Sequence, residues 1–467
     1  MAEVLLSPGV LARENDQSLL TAQPVQAGAA IVGPTVKGPV GIPTVVTSYS
    51  EYQNTFGAKV ESGSAEYSYF TSISAYNYFQ QGGDSLLVTR VVSGSFSSAT
   101  SSLVSNELTT DAFVLETFTE GIIANSVSPE GTNNTLSSGS IDNLRWEIVS
   151  PNTSSGTFNL LIRRGNDTSK QKVILETWPN LSMDPNSDNF ITKVIGDAKQ
   201  TVANEGSDYY LKYSGEFSNS SRYVRVKSVG TPTLNYLDNN GSAKDALTGS
   251  IALAGSGSFG DASGAAFASG RAANFYGSIN NIDTQGLDAT DYTATLNLLA
   301  NQDLFQYNVV ATPGLIKDFS SHSSLVTKLV DTAQTRGDNL AIVDLVAYEA
   351  NIGTVTTEAA SIDSSYAATY WPWLQTIDPD LGSQVFVPAS AMMLGVFAFN
   401  DRASETWFAP AGLNRGGLST VIRAERNLTN SNRDTLYTNN VNPIATFPNT
   451  GVVVFGQKTL QKKASAL

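Results

Sequence analysis

The sequence predicts an α/β (α+β) multidomain protein with a β-rich stretch inserted in its middle. Three observations carry this. The chain has 467 residues, more than one hydrophobic core usually serves. From residue 288 onward, helical and strand patterns alternate, as in an α/β layer. Between 111 and about 275, short strand patterns separated by turn clusters dominate.

Residues 1–20 carry no clear period, and Ser7-Pro8-Gly9 reads as a turn or extended signal, so they are predicted to form an arm. Residues 25–33 and 42–47 read as short strands parted by Lys37-Gly38-Pro39. From Ala65 to Gln81 the pattern is helical, with Tyr69, Ile73, Tyr76 and Phe79 on one face and Gly82-Gly83 as the stop. Ser85–Val92 is an apolar run suited to a buried strand. The Ser-rich stretch 93–110 reads as a linker. In the inserted region the strand candidates are Phe113–Glu116, Trp146–Val149, Phe158–Arg163, Val173–Thr177 and Tyr223–Val226. Asp238-Asn239-Asn240-Gly241 marks a turn, and one helix is expected near Asp188–Lys199.

Later, Ala289–Leu299 reads as helix and Tyr307–Thr312 as a strand ended by Pro313-Gly314. Leu325, Leu329 and Ala333 define a helix stopped by Gly337. Asn339–Val346 and Ala367–Leu374 read as strands. Pro388 opens a helix through Met392, Met393 and Phe397. Val452-Val453-Val454-Phe455 is a strand that needs a sheet to bury it. The segments predicted are an arm (1–20), a first core part (21–110), the β-rich insert (111–275), an α/β part (276–400) and a second core part (401–467).

Composition narrows the function classes. Hydrophobic residues make up 41% and charged residues 15%, which suits a packed core with a Ser/Thr/Asn-rich surface. With no cysteine, disulfides, thiol catalysis and thiolate metal sites fall away. No apolar run reaches the roughly 18 residues of a membrane span. The N-terminus lacks a signal-peptide pattern, which predicts folding in a cytoplasm. A net charge of −14 argues against wrapping nucleic acid. The charge is uneven: six acids and no base lie between Arg90 and Arg145, whereas residues 415–467 hold seven bases and two acids. Either these are separate solvated faces, or an acidic patch on one subunit meets a basic patch on another.

Candidate chemistry is sparse. The single histidine, His322, sits among Ser320, Ser321, Ser323 and Ser324, where a serine N-cap is expected; no G-x-S-x-G elbow accompanies it. Gly255-Ser256-Gly257-Ser258-Phe259-Gly260 matches G-x-G-x-x-G but lacks a βαβ setting, so it reads as a Gly/Ser loop. No carboxylate pair stands beside a second catalytic group, and no metal-ligand or calcium-loop spacing appears. Several Asn-x-Ser/Thr triplets follow from composition. No catalytic residue, cofactor or metal is predicted.

A resemblance supplies the positive reading. Leu6-Ser7-Pro8-Gly9-Val10, Ala30-Ile31-Val32-Gly33, Lys37-Gly38-Pro39, Pro43–Ser48, Phe56-Gly57 and Leu87–Val91 follow one another in order. Trp407-Phe408-Ala409-Pro410-Ala411-Gly412-Leu413-Asn414-Arg415-Gly416 comes later, then Arg433–Tyr437, Asn442-Pro443-Ile444 and Val454–Thr459. In spacing and order the set resembles the contractile tail sheath proteins of bacteriophages, and most strongly in the late run.

The resemblance implies an inner α/β domain built from both chain ends, with other domains inserted and facing outward. It implies a non-enzymatic structural subunit of the virion, made in the host cytoplasm. Its partners are further copies, in hexameric rings stacked helically, with the tail tube protein, the baseplate and the tail terminator. Nucleic acid and membrane are not among them. Contraction would drive the tube through the host envelope. Subunit-interface candidates are Ser7, Pro8, Gly9, Arg415, Arg423, Arg426, Arg433 and Lys458. The family continues past Lys458–Lys463 into a tube-facing helical segment and an arm, so a chain stopping at Leu467 is expected to fold but not to polymerise alone. Alternatives are the sheath of a tailocin-like or other contractile injection particle, and a virion carbohydrate-binding or hydrolase protein.

Overall fold

The chain's apolar β-runs stack into one eight-stranded sheet, seen in a computed structural model that describes residues 25–463 apart from 63–64, 108–109, 126–130, 132–133, 207, 266–275, 278, 404, 406 and 449. Strand Val25–Gly33 lies between Leu86–Arg90 and Phe305–Ile316, parallel to both. Leu340–Asp344, Ala367–Trp371 and Asn442–Phe447 come next, again in parallel. Antiparallel strands close both ends, Thr44–Val46 beside Leu86–Arg90 and Gly451–Val454 beside Asn442–Phe447. Parallel strands are buried on both faces, which explains why these segments read as unbroken apolar runs.

The two faces are separate cores, and strand alternation sorts residues between them. Ala29 and Ile31 face one core with Phe70, Ile73, Met392, Met393 and Leu394, under helices Phe70–Gln80 and Ala389–Ala403. Ala30 and Val32 face the other with Leu296, Leu325, Leu329, Val355 and Leu436. Helices Tyr292–Leu298, Ser320–Arg336, Ile352–Ala359 and Asn430–Thr438 supply that second layer.

Between Arg90 and Phe305 the chain forms smaller antiparallel sheets. One orders Ile174–Ser182, Thr157–Arg164, Leu144–Asn152 and Gly255–Ser258; another orders Val224–Val229, Asp111–Glu120 and Ser98–Val104. They share a third core in which Phe113 and Phe158 stack with centroids 5.5 Å apart. A hairpin, Lys199–Glu205 with Asp208–Ser214, turns back so that Val202, Tyr209 and Leu211 pack on the second core of the large sheet.

Several expectations need correction. The stretch read as a linker, 93–110, contains strand Ser98–Val104, whose Ala99 and Leu103 are buried; serine content masked the alternation. The Gly/Ser loop at 255–260 is in part a strand, Gly255–Ser258, paired with Arg145–Ile148. A side chain at Gly257 would meet the Trp146 ring at 2.7 Å, so the glycine admits the indole rather than a phosphate. Residues 65–67 form a strand with 60–62, so the helix starts at Phe70 and not at Ala65. That helix is buried almost all round, because it lies between the sheet and helix Ala389–Ala403. Strand Phe305–Ile316 runs through Pro313-Gly314; Gly314, at φ 98°, absorbs the register shift. The helix expected near Asp188–Lys199 is one turn, Ile191–Ile195, and Leu374 belongs to a second strand, Leu374–Ile377.

Candidate assembly surface

The expected interface cations lie where the large sheet ends. After helix Ala389–Ala403 a loop crosses the sheet's last strand, Gly451–Val454. Gly412 N–H donates to Val454 O (2.9 Å), Val454 N–H to Gly416 O (2.8 Å), and Leu418 N–H to Val452 O (3.0 Å). The run 412–418 therefore covers an edge that would otherwise template pairing. Any side chain at Gly416 would meet Val454 O at 2.6 Å, which accounts for glycine there.

The chain then forms strand Val421–Ala424, beside Leu374–Ile377, and helix Asn430–Thr438. Thr429 starts that helix with a reciprocal capping box to Asn432. Buried Asn442 anchors the last stretch of chain: its Nδ2 donates to Thr369 O (3.1 Å) and Lys458 O (2.7 Å), and its Oδ1 accepts from Lys458 N–H (2.7 Å).

On this scaffold each of the five candidate cations, Arg415, Arg423, Arg426, Arg433 and Lys458, stands over an aromatic ring. Arg415 lies 4.3 Å from the Phe408 centroid, Arg423 5.2 Å from Phe386, and Arg426 5.5 Å from Trp371. Arg433 sits near both Phe447 (5.2 Å) and Phe455 (5.6 Å), and Lys458 4.1 Å from Tyr437. Arg423 Nε also donates to Gln375 Oε1 (2.7 Å), Arg433 to Asn430, and Lys458 Nζ to Tyr437 O (2.8 Å). None of the five has an ion-pair partner within 4 Å among the described residues. Rings hold the side chains in place without cancelling their charge, each contact worth about 0.5–1 kcal/mol at exposed sites. Trp407, 77% exposed, and Phe408, Leu413, Ile422, Tyr437 and Phe455 add exposed apolar area to the same stretch.

The acids of the 107–142 stretch behave differently. Glu116 pairs with Arg225 (2.7 Å) and Lys199 (3.1 Å), and Asp142 with Lys37 (3.0 Å). Glu120 Oε2 accepts from Val40 N–H (3.0 Å), while Arg90 Nη1 donates to its carbonyl (2.8 Å) and to Gly38 O (2.6 Å). Two of the six acids, Glu120 and Asp142, thus tie the inserted sheets to the large-sheet unit, while Glu116 pairs within the insert. Sequence reasoning missed this clasp; lone acids and bases far apart in sequence give no signal of pairing. Ser7, Pro8 and Gly9 lie outside the described residues.

The histidine has a structural setting. Ser320 is the first helical residue and Phe319 the N-cap, with no capping side chain, correcting the expected serine cap. The Ser320 and Ser321 hydroxyls instead donate to Asn281 Oδ1. His322 is fully buried, and its Nδ1 accepts the Ile316 N–H (3.1 Å). Burial pulls its pKa down to about 4, against a backbone hydrogen bond with Asn280. Among the described residues no group of three or more His, Cys, Asp or Glu side chains could hold a metal, and no helix is long and apolar enough to cross a membrane.

The edge-sealing loop and the ring-held cations all fall within a stretch that matches a known family. Residues 285–460 match the phage tail sheath protein central domain, a range that takes in the run from Trp407 to Thr459. The chain is 35% identical over 112 residues to the tail sheath protein of Vibrio phage KVP40, covering 24% of this chain and 16% of that protein. It is 33% identical over 119 residues to the tail sheath protein of Enterobacteria phage T4, covering 26% and 18%. These matches span less than a fifth of either relative's length. The crystal structure of a sheath tail protein from Listeria innocua shares the fold, with a TM-score of 0.50 at 11% identity over 94% of this chain and 70% of that one. The resemblance to contractile tail sheath proteins read from the sequence is borne out.

Proposed function

We propose that this chain is a structural, non-catalytic subunit that polymerises as stacked hexameric rings around a tail tube and contracts to drive the tube through a host envelope. The observation that carries this is the match over 285–460, together with what that segment builds: five of the large sheet's eight strands and the whole ring-held cationic surface. Copies stacked helically use heterologous contacts that propagate instead of closing. Contraction needs two packings of one subunit, which favours polar, adjustable contacts over one continuous apolar seam. Cations held on rings meet that need: they are placed for acidic partners, yet lose little on release. The surface of Arg415, Arg423, Arg426, Arg433 and Lys458 is then a contact to a second copy or to the tube protein. Residues 1–20 serve as an arm docking on a neighbour. The sheets between 111 and 275 form an outward domain. Baseplate and tail terminator bound the stack, which sits in the virion after assembly in the host cytoplasm.

The test is expression together with the tail tube protein of the same virus, followed by negative-stain electron microscopy. Sheathed tubes with sixfold rings are expected. Bare tubes beside monomeric protein, across low and high salt, would overturn the reading.

A further inference from the structure

The hairpin of strands Leu374–Ile377 and Gln384–Val387 turns through two acids, Asp378 and Asp380. Asp378 is fully buried. Its Oδ1 accepts the N–H of Asp380 (2.8 Å), the N–H of Leu381 (3.1 Å) and the Ser68 hydroxyl (3.1 Å). Its Oδ2 is equally buried and has no hydrogen-bond partner among the described residues. Two residues on, Asp380 Oδ1 accepts from Tyr49 Oη (2.8 Å) and Gln53 Nε2 (2.8 Å), and its Oδ2 from Ser72 Oγ (2.8 Å). Among the described residues neither acid has an ion-pair partner.

A buried carboxylate oxygen with neither donor nor counter-charge is costly. A proton on Oδ2 removes the charge but leaves a buried O–H without an acceptor. A cation removes both deficits at once. The possible ligand atoms at hand are hard oxygens, two carboxylates and the hydroxyls of Ser68, Ser72 and Tyr49, beside the Gln53 amide and two backbone N–H donors, with no sulfur or imidazole among the named partners. Such a set suits calcium, which accepts irregular oxygen geometry and completes its shell with water. We propose that the Asp378–Asp380 turn binds a calcium-type divalent cation through Asp378 Oδ2 and the Asp380 carboxylate. The ion fastens the hairpin to helix Tyr49–Phe56, whose Tyr49 and Gln53 already reach Asp380, and to helix Phe70–Gln80 through Ser72.

Tyr49 makes the site readable, because a tyrosine beside a lanthanide sensitises its emission. The full chain, stripped with chelator, is titrated with terbium and then with calcium, and its melting temperature is followed with and without calcium. Saturable terbium emission displaced by calcium is expected, with a calcium-dependent rise in melting temperature. Asp380→Asn should weaken terbium binding about tenfold or more and abolish that rise. Tyr49→Phe should dim the emission while leaving the calcium-dependent rise in place. Should Asp380→Asn not fold, Asp378→Asn carries the same comparison, since its amide oxygen still accepts the turn N–H groups. The absence of any calcium-dependent rise in the unaltered protein, or an undiminished rise in the Asn variant, would overturn the proposal.

Discussion

Arg163 grips Asp167 with two parallel hydrogen bonds, Nε to Oδ2 and Nη2 to Oδ1, both 2.8 Å, and neither side chain is exposed. Arg145, also buried, reaches the same carboxylate at 3.3 Å, and Val173 N–H caps it at 2.9 Å. One acid therefore organises two interior arginines in the inserted sheets.

Removing that acid takes the bidentate partner from Arg163, which among the described residues keeps only Glu147 (2.9 Å) as an ion pair, and takes from Arg145 a buried carboxylate 3.3 Å away. Asp167→Ala should lower stability by about 3–5 kcal/mol, the usual cost of breaking a buried pair from one side. Asp188, whose fully exposed carboxylate meets Lys193 at 3.1 Å, is the control; Asp188→Ala should leave stability nearly unchanged, as exposed pairs contribute little. Urea unfolding of the two variants, read against the unaltered protein, measures both. Equal midpoints for the two would refute the assignment.

How much of the fold was legible in the sequence depends on how far each signal reaches. The buried strands Val25–Gly33 and Leu86–Arg90 announced themselves by apolar runs, and Gly337, left-handed at φ 72°, ended its helix as expected. Helices Tyr49–Phe56, Ile352–Ala359 and Asn430–Thr438 were missed although Ser48, Asn351 and Thr429 cap them. Each is short and shows few buried positions, so periodicity had little to act on. The hairpin at 199–214 was missed because it alternates weakly and is mostly exposed, and its value lies in a distant contact. On the assembly surface, sequence supplied the cations and the aromatic residues separately. That Arg433 meets Phe447 and Phe455 together depends on strands Asn442–Phe447 and Gly451–Val454 pairing, which brings the two rings into contact. Pairings of that kind leave no trace in linear spacing.

Asp344 gives a pH dependence. It ends strand Leu340–Asp344, fully enclosed, with Oδ2 accepting the Ser390 hydroxyl (2.5 Å) and Oδ1 the Ser390 N–H (3.2 Å). Burial raises its pKa from 3.8 to about 7, the Ser390 hydrogen bonds opposing. The folded protein then holds a proton that the unfolded chain has released between those values. Stability contributed by this group falls as pH rises from about 4 to about 7. Asp344→Asn should flatten the fall. Melting temperatures at both ends of the window, for variant and unaltered protein, give the comparison, and identical slopes would count against it.

His322 acts with opposite sign in nearly the same range. Its folded pKa of about 4 lies below the 6.5 of the free side chain, so the unfolded chain binds the extra proton. Its contribution is complete above about pH 6.5 and is lost as pH falls towards 4. In the unaltered protein the two groups partly cancel. The Asp344→Asn variant should therefore expose an acid weakness that the unaltered protein hides, and adding His322→Gln should reduce it. A double variant as acid-sensitive as Asp344→Asn alone would show that His322 does not carry the effect.

The last prediction concerns the cationic rim, where charge and packing separate cleanly. Arg433 is half-buried against a pair of touching rings but has no carboxylate partner among the described residues, so Arg433→Gln should cost the folded subunit about 1 kcal/mol or less. If the rim meets an acidic surface on a neighbour or on the tube, the same change should weaken co-assembly, and more so when combined with Arg423→Gln. Both losses should shrink as salt rises, because screening already weakens exposed charge contacts. Sedimentation of the co-expressed particles, scored across salt concentrations against the unaltered protein, tests this. Arg415→Gln should behave alike, since that cation also stands on a ring, Phe408, with no acid beside it among the described residues. Full assembly at low salt by the triple variant would show that the rim faces solvent in the particle and that the contact lies elsewhere.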